Sequence, residues 1–245
     1  MATTYSPRIV TDGLALCFDP AISRGVAANS AVTNLITNEK WNCFGGVPYS
    51  TSTNYGVLNF DTTNNLIYSE PGPSSIDSYS SGFTFQAFLK PDSFGGNNFG
   101  RLLLRQSAGN LGYLIMVDNG NAPSGITLQL FTGGGTIPSY VASGCIQLNS
   151  WQNIAIVYDS ITCKTYRNGE LFFTDTGWRN IGVSTPLVVP FPNAVNINTY
   201  IGNNGANFTR WYDGQMANYY VYPNKALSAD EVRQNFNATK GRFGL

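Results

Sequence analysis

Two carboxylates facing each other across a bond, roughly 5 to 10 Å apart, are the minimum equipment of most glycoside hydrolases. The 14 acidic residues of this chain never form a strand-borne E-x-D-x-x-E arrangement, and their one adjacent pair, Asp230-Glu231, sits where a helix would begin. Histidine is absent, so a His-based nucleophile triad is excluded. The four cysteines, Cys17, Cys43, Cys145 and Cys163, have no C-x-x-C spacing and no His to complete a mixed zinc site. They read as small, partly buried thiols. The expectation is a protein without enzymatic activity.

Binding chemistry is better represented. The stretch "GNNGANFTRWYDG" gathers Asn203, Asn204, Asn207, Arg210, Trp211, Tyr212 and Asp213 into one loop. A sugar site needs an aromatic face for the ring and amide, guanidinium and carboxylate groups for its hydroxyls. This loop supplies all of them, and these seven residues are the candidate glycan-binding set. The same loop can instead be a surface turn whose Trp211 packs on the edge of the fold, and the sequence leaves both readings open. A calcium site would need converging oxygen ligands. Asp118 and Asp213 are candidate donors, but no acidic cluster joins them, and no other cofactor is expected.

Those side chains need a frame, and composition narrows it. Only 11% of the 245 residues are charged, with 14 basic against 14 acidic, where soluble domains carry about a quarter. Asn, Ser, Thr, Gly and Tyr fill the deficit. Such a surface suits contacts with proteins or neutral glycans and offers no field for gathering nucleic acid. No run of about 18 apolar residues exists to span a membrane as a helix. The opening "MATTYSPRIV" lacks the basic-then-apolar pattern of a signal peptide, so synthesis and assembly in the cytoplasm are expected.

Period-two alternation dominates the chain. In "GFTFQAFLKP", Phe83, Phe85, Ala87 and Leu89 share a face opposite Thr84, Gln86 and Lys90, which reads as a half-buried strand. "WQNIAIVYD" sets Ile154, Ile156 and Tyr158 against Asn153, Ala155 and Val157, apolar on both sides as inside a two-sheet core. Asn168-Gly169 in "TCKTYRNGELFF" is a type I′ hairpin signal. Further strands read at "LALCF", "VLNFD", "RLLLR", "GYLIMVD", "GITLQLF" and "TYIG". After a turn at Asp213-Gly214, "QMANYYVY" predicts a strand with Ala217, Tyr219 and Val221 on one face, ended by Pro223. Ser228 and Glu231 then form a capping box for a helix to about Asn237. "STPLVVPFPNAVN" reads as a long loop. The pattern predicts one sandwich domain over residues 14–245, preceded by an N-terminal arm over 1–13 that could tether a neighbour.

The ordered set "GVLNFD", "FTFQAFLKP", "WQNIAIVYD…TYRNGEL", "YIGNNG" and "YDGQMANYYVYPNKALSADEV", over roughly residues 55 to 236, resembles concanavalin A-like, laminin-G-like domains. That resemblance implies an all-β jelly-roll sandwich of two antiparallel sheets closed by a short C-terminal helix. "SPRIVTDGLALCFD", "NSAVTNLITNEKWNCFGG" and "QNFNATKGRFG" are similar to a subset of these domains found in tailed-bacteriophage virion proteins. This implies a structural role on the particle surface, as capsid decoration or a neck, tail or fibre component. Capsid or tail subunits would be its partners, with self-association, a trimer being the first expectation. The alternative is a carbohydrate-binding module that acts as a host-recognition adhesin on cell-surface glycans.

Overall fold

Strands that are apolar on both sides must be covered on both sides, and the computed structural model solves this with two sheets and one helix. It describes residues 8–22, 26–27, 31–47, 49–50, 56–61, 64–69, 76, 82–106, 111–132, 139–160, 162–175, 198–204 and 208–245. The first strands are β1 (Leu16–Phe18), β2 (Val26–Ala27), β3 (Ala31–Thr33), β4 (Lys40–Phe44), β5 (Tyr49–Ser50), β6 (Val57–Phe60), β7 (Leu66–Tyr68) and β8 (Phe83–Pro91). They are followed by β9 (Arg101–Gln106), β10 (Leu111–Asp118), β11 (Gly125–Thr132), β12 (Ser139–Ala142) and β13 (Gln152–Tyr158). The chain continues through β14 (Cys163–Arg167), β15 (Glu170–Asp175), β16 (Thr199–Ile201) and β17 (Gly214–Pro223) to the helix α1 (Ala229–Thr239). An eight-stranded sheet runs β15-β14-β13-β8-β17-β6-β5, with β1 also paired to β17. A nine-stranded sheet runs β12-β11-β10-β9-β16-β7-β4-β3-β2.

The main core lies between the sheets. Phe83, Phe85, Ala87, Leu89, Ile154, Ile156 and Tyr158 face it from one side, as their alternation predicted. Trp41, Ile67, Leu103, Ile115, Leu128 and Ile201 face it from the other. Ala155 and Val157 point the opposite way, into a second apolar cluster with Tyr220, Tyr222 and Val232. The other face of β8 is buried as well, contrary to the half-buried expectation: Thr84 and Gln86 are fully enclosed because the segment at Lys225 and Leu227 bonds to Thr84 and α1 bonds to Gln86.

Polar groups under that cover are paired with each other. Asn235 on α1 accepts from the Val10 amide (2.7 Å) and donates to Gln86 Oε1 and to the Tyr222 hydroxyl (both 2.9 Å). Gln86 in turn donates to Asn153 Oδ1 and the Val232 carbonyl. Tyr222 donates to the Val10 carbonyl, and Gln234 to that of Arg8. The described part of the N-terminal arm, residues 8–13, thus packs onto the sandwich, with Val10 in the second cluster beside Leu14. Residues 1–7, like the proline-rich stretch, lie outside the described residues.

The predicted capping box is present, with reciprocal Ser228 and Glu231 hydrogen bonds, and the helix continues into a 3-10 turn over Lys240–Phe243. Asn168 and Gly169 both have positive φ (53° and 79°), as a type I′ hairpin requires. Two local readings fail. Gly214 opens β17 rather than making a turn, at φ 135°, where an added Cβ would lie 2.3 Å from the Lys90 carbonyl. Ala217 also departs from the face of Tyr219 and Val221: it joins Phe88 and Phe236 on the helix side. The cause is a bulge between Ala217 and Tyr220, with Asn218 at φ 46°, which inserts a residue and inverts the alternation.

Candidate functional site

With α1 covering the eight-stranded sheet, the described residues on the outer face of the nine-stranded sheet enclose two cavities. The first is aromatic. Phe44 at the end of β4, Leu66 and Tyr68 on β7, Tyr200 on β16, Asn198 and Phe208 line about 210 Å³. Alternation selects these residues, since their neighbours Ile67 and Ile201 point into the core. Tyr68 lies opposite Tyr200 in the β7–β16 register, and Asn42 on β4 pairs with Tyr68. Phe44 is 49% exposed and stacks on Phe208 with centroids 5.5 Å apart and planes at 28°. Burial and the neighbouring Tyr68 hold the Tyr200 phenol above its ordinary range, so it stays a neutral donor and acceptor.

The second cavity is cationic. Phe99, Arg101, Met116, Asn121, Gln129 and Arg210 line about 170 Å³. The Arg210 guanidinium lies 4.6 Å from the centroid of the Phe99 ring. The backbones of the two arginines are joined, the Arg101 amide donating to the Arg210 carbonyl at 3.0 Å. Leu104, Leu114, Met116 and Phe131 form an apolar cluster on this face, against which Phe99 and Tyr200 pack. Because Met116 and Phe99 line one cavity and Tyr200 the other, that cluster is the floor between them.

The candidate glycan loop divides across these features. Arg210 lines the cationic cavity and its loop neighbour Phe208 the aromatic one. Asn203 and Tyr212 are fully buried and do not face solvent. Tyr212 packs edge-on against Phe60 and donates to the Gln215 carbonyl, because the loop runs back into the core before β17. Asn204 is half-buried beside Asn203, whose Oδ1 accepts from the Asn204 amide. Trp211 is half-buried: its carbonyl accepts from the Gly96 amide, and a Cβ on Gly96 would lie 2.6 Å from its ring. That contact is the packing reading of Trp211. Asp213 accepts from the Ser93 hydroxyl at 2.6 Å, and Asn207 lies outside the described residues.

The two candidate calcium ligands are committed elsewhere. Asp118 Oδ1 accepts from the amides of Gly120, Asn121 and Ala122, and its Oδ2 from the Thr127 hydroxyl. Among the described residues, no group of three or more Cys, Asp or Glu is placed to hold a metal. Phe44, Tyr68, Tyr200 and Arg101 were missed from sequence, since nothing local brings β4, β7, β9 and β16 side by side.

Two antiparallel sheets, a helix on one outer face and two open cavities on the other define a lectin-type β-sandwich. A family model described as the Concanavalin A-like lectin/glucanases superfamily, of laminin-G type, matches residues 60–233, and the chain belongs to this superfamily. Solved structures of the same fold include the binding domain of Paraclostridial Mosquitocidal Protein 1, at 17% identity and a TM-score of 0.66, covering 93% of this chain and 52% of that one. The binding domain of botulinum neurotoxin DC in complex with rat synaptotagmin II is similar at 12% identity and a TM-score of 0.65, with 93% and 52% covered. The botulinum neurotoxin serotype C1 binding domain is similar at 14% identity and a TM-score of 0.62, again with 93% and 52% covered. The chain thus spans about half the length of these binding domains. A search of curated protein sequences finds no match.

Proposed function

We propose that this domain is a non-enzymatic recognition module that takes a glycan on the outer face of its nine-stranded sheet. The observation that carries the reading is the aromatic cavity: the exposed Phe44–Phe208 stack offers ring faces, and Tyr68, Tyr200 and Asn198 offer hydroxyl and amide groups around it. Apolar walls with a few convergent polar groups are the ordinary make-up of a small-molecule site. The solved neighbours are themselves described as binding domains, one of them bound to a protein, synaptotagmin II, which supports a recognition role. Phe44→Ala should abolish binding on a glycan array with little change in melting temperature, because Phe44 is half exposed. Unchanged binding in this variant would defeat the reading.

The setting we propose is the surface of a bacteriophage particle assembled in the host cytoplasm, with capsid or tail subunits as partners. The similarity of the chain's two end segments to phage virion proteins supports it. Self-association is supported by β15, the edge strand of the eight-stranded sheet, where Leu171, Phe172 and Phe173 are all exposed. Mass spectrometry of purified particles tests the setting. Protein found only free in the lysate would reject the virion role and leave the glycan-binding module standing.

A further inference from the structure

The second cavity carries an unmet electrostatic demand. Arg101 Nε and Arg210 Nη1 are both buried without a hydrogen-bond partner among the described residues. The Arg101 side chain donates instead from Nη1 to the Met116 thioether, a weak acceptor. Neither arginine belongs to an ion pair among the described residues. The nearby carboxylate, Asp118, is already taken up by three backbone amides and a hydroxyl. Burial, and then Arg210, push the Arg101 guanidinium down to about 10, against a smaller opposing pull from Asp118. Two cations held together with buried donors unsatisfied are costly, and native structures seldom leave such groups unanswered.

The backbone is arranged to create this pair. Alternation along β9 would put Arg101 on the inward face with Leu103. Instead, Leu103 pairs with Ile115 and Arg101 with Met116, so Leu102 is an extra residue in β9. Leu102 and Leu103 both enter the core, and Arg101 emerges on the outer face. Bulges re-aim side chains in this way beside functional sites. Phe99 holds the Arg210 guanidinium from one side, while the amides of Asn121 and Gln129 stand at the wall as further donors.

We propose that Arg101 and Arg210 form an oxyanion site that grips the carboxylate or sulfate ester of an acidic sugar. This rests on the glycan reading above and narrows it to acidic glycans. Guanidinium forks match such oxyanions with paired, charge-assisted hydrogen bonds. At about 170 Å³ the cavity is smaller than the roughly 300–1,000 Å³ of pockets that enclose a drug-sized ligand, so it fits an end-group. Because the apolar floor joins both cavities, the neutral part of the same glycan lies toward the aromatic one.

The test uses the full chain, its Arg101→Met and Arg210→Met variants, and three probes: an array of uronic-acid, sulfated and neutral glycans, free glucuronate, and inorganic sulfate. The wild type should prefer acidic over neutral glycans by at least about tenfold, and each variant should lose that preference. Which acidic class wins identifies the oxyanion. Binding should weaken with added salt. Free glucuronate or sulfate should raise the wild-type melting temperature and leave that of the variants unmoved. Without ligand, each variant should melt no lower than wild type, since removing a buried, unpaired cation relieves repulsion. Equal binding of acidic and neutral glycans, still lost in Phe44→Ala, would overturn the oxyanion site and spare the glycan reading. Anion stabilisation that needs both arginines, with no glycan bound at all, would do the reverse. No response to any probe would overturn the proposal, as would a variant melting well below wild type.

Discussion

Asn235→Ala should cost far more than its position on a short, half-exposed helix would indicate. The side chain is fully buried and makes three hydrogen bonds: it accepts from the Val10 amide and donates to Gln86 Oε1 and the Tyr222 hydroxyl. Tyr222 keeps its own bond to the Val10 carbonyl after the change. The Val10 amide and Gln86 Oε1 do not keep theirs and become two buried orphans. At about 1–3 kcal/mol for each unsatisfied group, the loss should be about 3–4 kcal/mol. For a domain of this size about 2–4 °C is lost per kcal/mol, so the melting temperature should fall by roughly 6–16 °C. Urea titration followed by tryptophan fluorescence measures it, and the midpoint should move without a change in slope. Gln234→Ala is the control. Its partner is the exposed Arg8 carbonyl, which water can satisfy, and its cost should stay below about 0.5 kcal/mol. A loss under about 1 kcal/mol for Asn235→Ala would refute the reasoning, since it would mean water reaches both orphans.

Ser228→Ala should destabilise by about 1 kcal/mol in the same assay, because it removes the side-chain half of the capping box. Burial raises the thiols of Cys17 and Cys145 to about 12 and that of Cys43 to about 11. The unfolded thiols titrate near pH 8.5, so the native state holds more protons above that pH. The stability due to thiol burial is therefore complete below about pH 8.5 and should be lost as pH rises toward 11–12, and a urea midpoint flat from pH 7 to 11 would contradict this. Alkylation of the native protein at pH 8 should be slow and start at Cys43, the half-buried thiol, as read by intact mass. The proposed self-association through β15 predicts that Leu171→Lys, on its exposed edge, gives a smaller particle than wild type in light scattering without lowering the melting temperature.

Sequence patterning reads well where one rule acts alone. β8, β13 and the Asn168-Gly169 hairpin follow from alternation and turn chemistry, and the helix start follows from Ser228 and Glu231. It fails at two of the bulges, in β9 and β17. One extra residue at Leu102 or beside Asn218 swaps the faces of the strand from that point on, and no local signal marks an insertion that only the partner strand defines. The short strands β2 to β5, β7 and β12 are too brief to show a period. The site divides along the same line. Arg210 stood out because an Asn- and aromatic-rich loop surrounds it. Phe44, Tyr68, Tyr200 and Arg101 come from strands whose adjacency is set by the order of the whole sheet.

The docking of residues 8–10 beside Gln234 and Asn235 has a directional consequence. The first and last described parts of the chain meet on the helix-covered side, one sandwich thickness behind the cavities. A support that grips that side, whether a particle surface, a chip or a fused partner, would hold the molecule by its back. The arginine and phenylalanine relief would then point outward like the face of a stamp, and copies set side by side would all present it to the same approaching surface.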